Sequence, residues 1–161
     1  MAKLPECQFI KITVDGKEIK GASEEEPYKG WMEGFAPTGL QAYSGVDGAS
    51  FNPLTISLLM TKESSVLYET YLKRGHKTID VTIVVRSSDK FGSQYESLKV
   101  EYKDCHFQYM VIETVDGRLF LNTSITVEGS VQVTMQVPNN TDSALDKIGP
   151  INYDIAAKAL K

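Results

Sequence analysis

Soft metal ligands and nucleophiles are scarce in this chain, which has two cysteines and two histidines in 161 residues. Cys7 and Cys105 stand apart, without a second Cys or a His-rich run at zinc spacing. Two isolated thiols build no disulfide framework and point to a reducing compartment. Long apolar runs are also missing. No stretch approaches the ~18 apolar residues of a membrane span, and Met1-Ala2-Lys3-Leu4-Pro5-Glu6 lacks the apolar core of a signal peptide. The expectations are synthesis in the cytoplasm, no membrane insertion, and export, if any, by a machine that takes the folded protein. Excess basic charge is absent as well: 17 Lys and Arg against 21 Asp and Glu give a net charge of -4, a field that repels a phosphate backbone. Nucleic acid is therefore not an expected partner.

The remaining candidates for chemistry are few. Lys73, Arg74, His76 and Lys77 form a small basic group, but at a helix end such charges serve the carbonyl dipole. Cys105 and His106 are adjacent, and in a strand adjacent side chains point to opposite faces, so they do not form a nucleophile and base. Glu24, Glu25 and Glu26 lack the spacing of a calcium loop. Gly45-Val46-Asp47-Gly48 matches no phosphate loop or dinucleotide fingerprint. Asn122-Thr123-Ser124 and Asn139-Asn140-Thr141 fit the glycosylation sequon without a secretory context. The expectation is a protein with no catalytic residues, metal or cofactor.

What the chain has in quantity is alternation of period two, the signature of strands with one buried face. It runs through Ile10, Ile12 and Val14; Leu54, Ile56, Leu58 and Met60; Ile79, Val81, Ile83 and Val85; Leu98, Val100 and Tyr102, continuing through Phe107, Tyr109 and Val111; and Ile125, Val127, Val131, Val133, Met135 and Val137. Turn chemistry stands at Asp15-Gly16, Asp47-Gly48, Asp116-Gly117 and Glu128-Gly129, with hairpins expected at the first and third. Between Thr61 and Arg74 the period changes: Val66, Leu67, Tyr71 and Leu72 fall at helical spacing, Ser64 or Ser65 is placed to cap the start, and Gly75 ends it. This helix, about 62–74, is expected outside the sheet. Residues 36–52 and 138–146 lack periodicity, and the tail from Ile155 suggests at most a helical turn. At 161 residues one domain, 1–161, is expected. Strands at regular spacing with such turns predict an antiparallel sandwich or barrel. The late strand faces are uncharged, with Thr126, Ser130, Gln132, Thr134 and Gln136, which suits contact with another polar surface as well as a tolerant strand.

Several of these segments resemble, in order, those of the Hcp family, the tube subunit of the bacterial type VI secretion system. Lys29-Gly30-Trp31-Met32-Glu33 resembles the segment opening that family's second strand. The helix from Thr61-Lys62 to Gly75 and the strand Ile79 to Val85 follow in the family's order. Val131 to Met135 resembles its late strand, with Met135 where many members have Trp. Lys147-Ile148-Gly149-Pro150 with Tyr153 resembles its closing segment, while Gly34-Phe35-Ala36-Pro37 is shorter than the usual continuation.

The resemblance spans about residues 9 to 155 and implies a mainly β fold: a compact antiparallel β-barrel of two packed sheets with one flanking helix. It further implies six-membered rings stacked into a tube inside a sheath, capped by a VgrG-type spike and expelled with small effectors in the lumen. The subunit would be cytoplasmic before firing and then secreted without a cleaved signal peptide. On this basis Gly45, Val46, Asp47, Gly48 and Phe51 are expected at a ring-stacking contact. Thr55, Ser57, Lys99, Glu101 and Thr126 are the lumen candidates, on strand alternation and family order. A tail-tube subunit of a phage or related contractile particle, and a monomeric β-barrel binding a small ligand, are the alternatives.

Overall fold

The computed structural model describes residues 8–36, 42–46, 48–51, 53–73, 75, 77–88, 94–139 and 144–160. Strand β1 (Gln8–Val14) turns at Asp15 and Gly16, both with positive φ (49° and 81°), into β2 (Lys17–Ile19). Positive φ at both central residues matches the right-handed twist of the flanking strands, so the Asp-Gly pair makes the hairpin expected there. β3 (Met32–Phe35) pairs with β1, and β6 (Leu54–Leu59) pairs with β3. Between them, β4 (Ala42–Gly45) and β5 (Gly48–Phe51) form a separate two-stranded hairpin. After helix α1 (Ser65–Lys73) come β7 (Ile79–Ser88), β8 (Gln94–Val115), β9 (Arg118–Pro138), β10 (Leu145–Asp154) and β11 (Ala159–Leu160).

The order β9-β6-β3-β1-β7-β8 closes on itself because β8 also pairs with β9, giving a six-strand barrel with additional strands. Every pairing described is antiparallel. The fold is the mainly β barrel with a flanking helix that the resemblance implies, one of the two architectures, sandwich or barrel, that the strand spacing predicts. Ile10, Ile12, Met32, Ile56, Leu58, Val81, Leu121 and Ile125 are essentially inaccessible to water and meet across the interior. Full burial of each contributes about 1.5–3 kcal/mol.

Outside the barrel, residues 20–31 cross the outer face of β1 and β7 as a strap. Tyr28 stacks on Phe9 at 4.5 Å, Trp31 meets Tyr28 edge-on, and Val84 is buried beneath them. The Arg86 guanidinium lies 5.4 Å from the Tyr28 ring and 3.6 Å from Glu25. The Tyr28 hydroxyl donates to Glu96. Burial, together with this bond to Glu96, pushes the Tyr28 phenol up from its ordinary value.

Several local expectations are corrected. The helix cap is Thr61: its Oγ1 accepts from the Ser64 amide at 3.1 Å, while Ser64 Oγ accepts from the Thr61 amide at 2.7 Å, a capping box closed by serine. The helix does not simply lie outside the sheet, since Leu67 is wholly buried in the main core. Glu128-Gly129 makes no turn but lies within β9. Lys103 pairs with Ser130 and Cys105 with Val127, so two β9 residues oppose Asp104 alone, a bulge. A Cβ on Gly129 would stand 2.7 Å from the Lys103 carbonyl oxygen, so glycine serves close backbone approach. A second irregularity between Phe107 and Tyr109 breaks the expected alternation: Met110 turns inward, and Tyr109 and Val111 face solvent. Within the expected aperiodic stretch 36–52 stands the β4–β5 hairpin, whose four-residue arms are too short to show a period. The second such stretch, 138–146, runs into β10, whose alternation is interrupted by Gly149-Pro150 and an irregular register between Ile148 and Ile151. The tail forms a tight turn and β11, not a helical turn.

Candidate assembly surfaces

The residues that elsewhere make active sites are spent on structure here. Cys105 is fully buried. Burial pushes its thiol up to about 12, with Asp80 and Asp104 adding to the shift, opposite to the direction a nucleophile needs. On the other face His106 Nε2 lies 3.1 Å from Glu128 Oε2. Lys77 pairs with Asp15 at 3.7 Å, and Lys73 occupies the last turn of α1. Arg74, His76 and Cys7 lie outside the described residues. Glu24 and Glu26 are exposed, and among the described residues no group of three or more His, Cys, Asp or Glu is placed to hold a metal. No helix among them is long and apolar enough to cross a membrane.

The predicted stacking residues fall on the β4–β5 hairpin. Gly45 pairs with Gly48 to close the turn, and the Val46 side chain at the tip is wholly exposed (104%). Asp47 lies outside the described residues. Phe51 is not at the tip: it is half-buried at the base, packing on the core and 5.9 Å from the Tyr153 ring. Gly48 has φ +117°, and a Cβ there would come 2.6 Å from the Tyr153 hydroxyl. The hairpin leaves the barrel between β3 and β6, whereas α1 follows the other end of β6, so hairpin and helix mark opposite poles.

The five lumen candidates share one outward surface along β9. Thr55 and Ser57 of β6 stand beside Ser124 and Asn122, His106 beside Thr126, and Glu101 and Lys99 of β8 beside Gln132 and Thr134. All five are half-buried, their strand neighbours Ile56, Val100 and Ile125 pointing inward. Along this wall β9 places Asn122, Thr126, Ser130, Gln132, Thr134 and Gln136, with Glu128, paired to His106, as its one acidic side chain and Ser124 buried beneath. Glu101 accepts a 2.8 Å bond from Gln132 Nε2. The hydroxyl oxygen of Thr126 and Oδ1 of Asn122 are covered, with no hydrogen-bond partner among the described residues. Among the described residues no strap covers this face, in contrast to the outer face of β1 and β7.

Two features escape the sequence reading. Among the described strands β8 pairs only with β9 from His106 to Val115, its β7 pairing ending at Cys105, and beyond Gln108, where the Tyr71 hydroxyl of α1 donates to the carbonyl at 3.3 Å, no other described strand or helix bonds this edge. This open edge carries exposed Tyr109, Val111, Ile112 and Val115, with Leu119 across the hairpin. Among the described residues β10 is likewise unpaired along its far edge before Tyr153, where β11 begins to pair, and exposes Leu145, Ile148 and Ile151. The run Tyr109-Met110-Val111-Ile112, apolar at every position, was the available signal: a strand with both faces apolar and no second covering layer.

No family model matches the sequence, and no curated protein matches it. Solved structures do match in fold. A type six secretion system protein superposes with a TM-score of 0.69 at 16% identity, over 95% of this chain and 99% of that one. Hcp1 from Salmonella typhimurium gives 0.66 at 16%, over 96% and 99%. The secreted protein Hcp3 from Pseudomonas aeruginosa gives 0.62 at 12%, over 88% and 96%. At these identities the likeness establishes a shared fold along nearly the whole chain.

Proposed function

We propose that this protein is an Hcp-type tube subunit of a type VI secretion system, acting by self-assembly and without catalysis. The observation that carries the reading is the largely polar outer wall of β9 lying between two apolar strand edges that no other described strand covers. An open edge offers unpaired backbone groups to another chain, and monomers ordinarily blunt such edges with charge or cover them. The β8 edge at Tyr109–Val115 and the β10 edge at Leu145–Ile151 are different surfaces, so a contact between them is head-to-tail and closes into a ring when its rotation permits. Six copies would then line a lumen with Thr55, Ser57, Lys99, Glu101 and Thr126. The hairpin residues Gly45, Val46, Asp47 and Gly48 at one pole would meet the next ring, with Phe51 holding the hairpin base.

In this role the partners are further copies of the chain, a VgrG-type spike, a surrounding sheath and small effectors carried in the lumen. The protein would be cytoplasmic until firing and leave the cell without a cleaved signal peptide. A barrel interior packed by Ile10, Ile56, Leu58, Val81 and Leu121 supports assembly over an interior ligand site. Light scattering of the purified chain is expected to give about six times 17.9 kDa, with rings in electron micrographs. A mass of 17.9 kDa at every concentration would sink the assembly reading. Genes for sheath, baseplate and a membrane complex beside this one would favour secretion, and capsid genes a phage-like particle.

A further inference from the structure

The β4–β5 hairpin pairs with no other strand among those described. A two-stranded hairpin of four-residue arms is marginal by itself, so its direction must come from what it rests on. It rests on β10 and the turn after it. The Tyr153 hydroxyl accepts a 2.9 Å bond from the Ala49 amide, and its ring lies 5.9 Å from that of Phe51. Gly48 passes so close to the same hydroxyl, and to Lys158 Cβ, that no side chain fits between. The seat is itself tied down, since the Ile155 amide donates to the Gly129 carbonyl at 2.9 Å and the Ala157 amide to Asp154 Oδ1 at 2.9 Å.

Tyr153 also belongs to the strand whose open edge presents Leu145, Ile148 and Ile151. We infer that Tyr153 is a positioning residue that aims the β4–β5 hairpin from strand β10, so that a second copy docking along the open β10 edge also steadies the hairpin tip. The inference rests on the tube reading for its assembly half, while the clamp itself is a property of the single chain. A hairpin already aimed meets the next ring without first losing its freedom at each contact, which favours stacking after ring closure. Val46 then reaches outward from a fixed base rather than from a loose loop.

Hydrogen exchange read by mass spectrometry on the full chain separates the two halves, using wild type, Tyr153→Phe and Tyr153→Ala. Tyr153→Phe keeps the ring against Phe51 and loses one hydrogen bond, so exchange at Ala49 should rise roughly two- to twelvefold, and further in Tyr153→Ala. Strands β1 and β6 should keep their protection, which excludes general unfolding. Equal protection of residues 48–51 in wild type and Tyr153→Ala overturns the clamp, whether or not rings form. In wild type, ring formation should slow exchange at Ala49, and in Tyr153→Ala it should not. Equal slowing in both, or tubes of undiminished length from Tyr153→Ala rings, overturns the coupling. Failure of wild type to form rings at all would refute the tube reading and leave the monomer result on the clamp standing.

Discussion

Two hairpins of this protein invite comparison. The β8–β9 hairpin, turning at Asp116-Gly117, has arms of 22 and 21 residues; the β4–β5 hairpin has arms of four. The long one is held along its length by its inner face, where Val100, Leu121, Ile125 and Val131 are buried, while Tyr109, Val111, Ile112, Val115 and Leu119 toward its turn leave apolar side chains in water. The short one has no core of its own and stands on Tyr153 and Phe51. The long hairpin is held by many buried side chains, and the short one chiefly by one tyrosine. Stability is correspondingly uneven along the chain.

The largest expected effect lies on the buried face of the long hairpin. Leu121→Ala removes a wholly buried side chain and should destabilise the fold by about 2–5 kcal/mol, seen as a lower urea midpoint. A loss below about 1 kcal/mol would erase the claimed difference between the hairpins.

Alkaline pH should act on the same buried face. The Cys105 thiol, ordinarily losing its proton near 9, holds it in the folded protein to about 12. The unfolded chain therefore releases this proton first, and stability present below pH 9 is lost progressively as pH rises toward 12. Urea midpoints measured across that window should fall more steeply for wild type than for Cys105→Ala. Tyr102, buried nearby with its phenol pushed up chiefly by burial, should keep a residual slope in the variant.

Ile112→Lys places a charge on the strand opposite Leu121 at a side chain already exposed, where the monomer loses little. Thermal stability of the monomer should change by less than about 0.5 kcal/mol while ring mass falls in light scattering. Intact rings would show that this edge is not a lateral contact. Gly48→Ala should have the smallest effect on the whole protein. At φ +117° and against the Tyr153 hydroxyl it introduces roughly 1–3 kcal/mol of strain, confined to the hairpin and visible as faster exchange over residues 48–51 with an unchanged melting temperature.

Much of the barrel is legible because its strands are half-buried: Ile10, Ile12, Ile56, Leu58, Val81 and Ile125 alternate with polar neighbours, and each alternation marks a real strand. The Asp-Gly turns at 15–16 and 116–117 are legible for the same local reason, since both aspartates adopt positive φ beside a glycine that does so freely. Legibility fails where a long-range contact changes a local rule. Gly129 looks like a turn glycine and is a bulge forced by Lys103 across the sheet. Phe107, Tyr109 and Val111 look like one face until the irregularity at Gln108 divides them. The lumen candidates were placed by alternation and do lie on one surface, whereas the open edges of β8 and β10 went unseen because an edge is defined by the neighbour a strand lacks.

By itself the sequence determined that this chain folds as an antiparallel β protein with a helix after the Leu54 strand, because period, turn chemistry and composition are local. Only the tertiary structure decided that the sheet closes on itself, that two strand edges stay open and apolar, and that Tyr153 meets Ala49 across 104 positions of chain. Closure, exposure and such a clamp depend on which strands become neighbours, and that is settled by the joint burial of residues far apart in sequence.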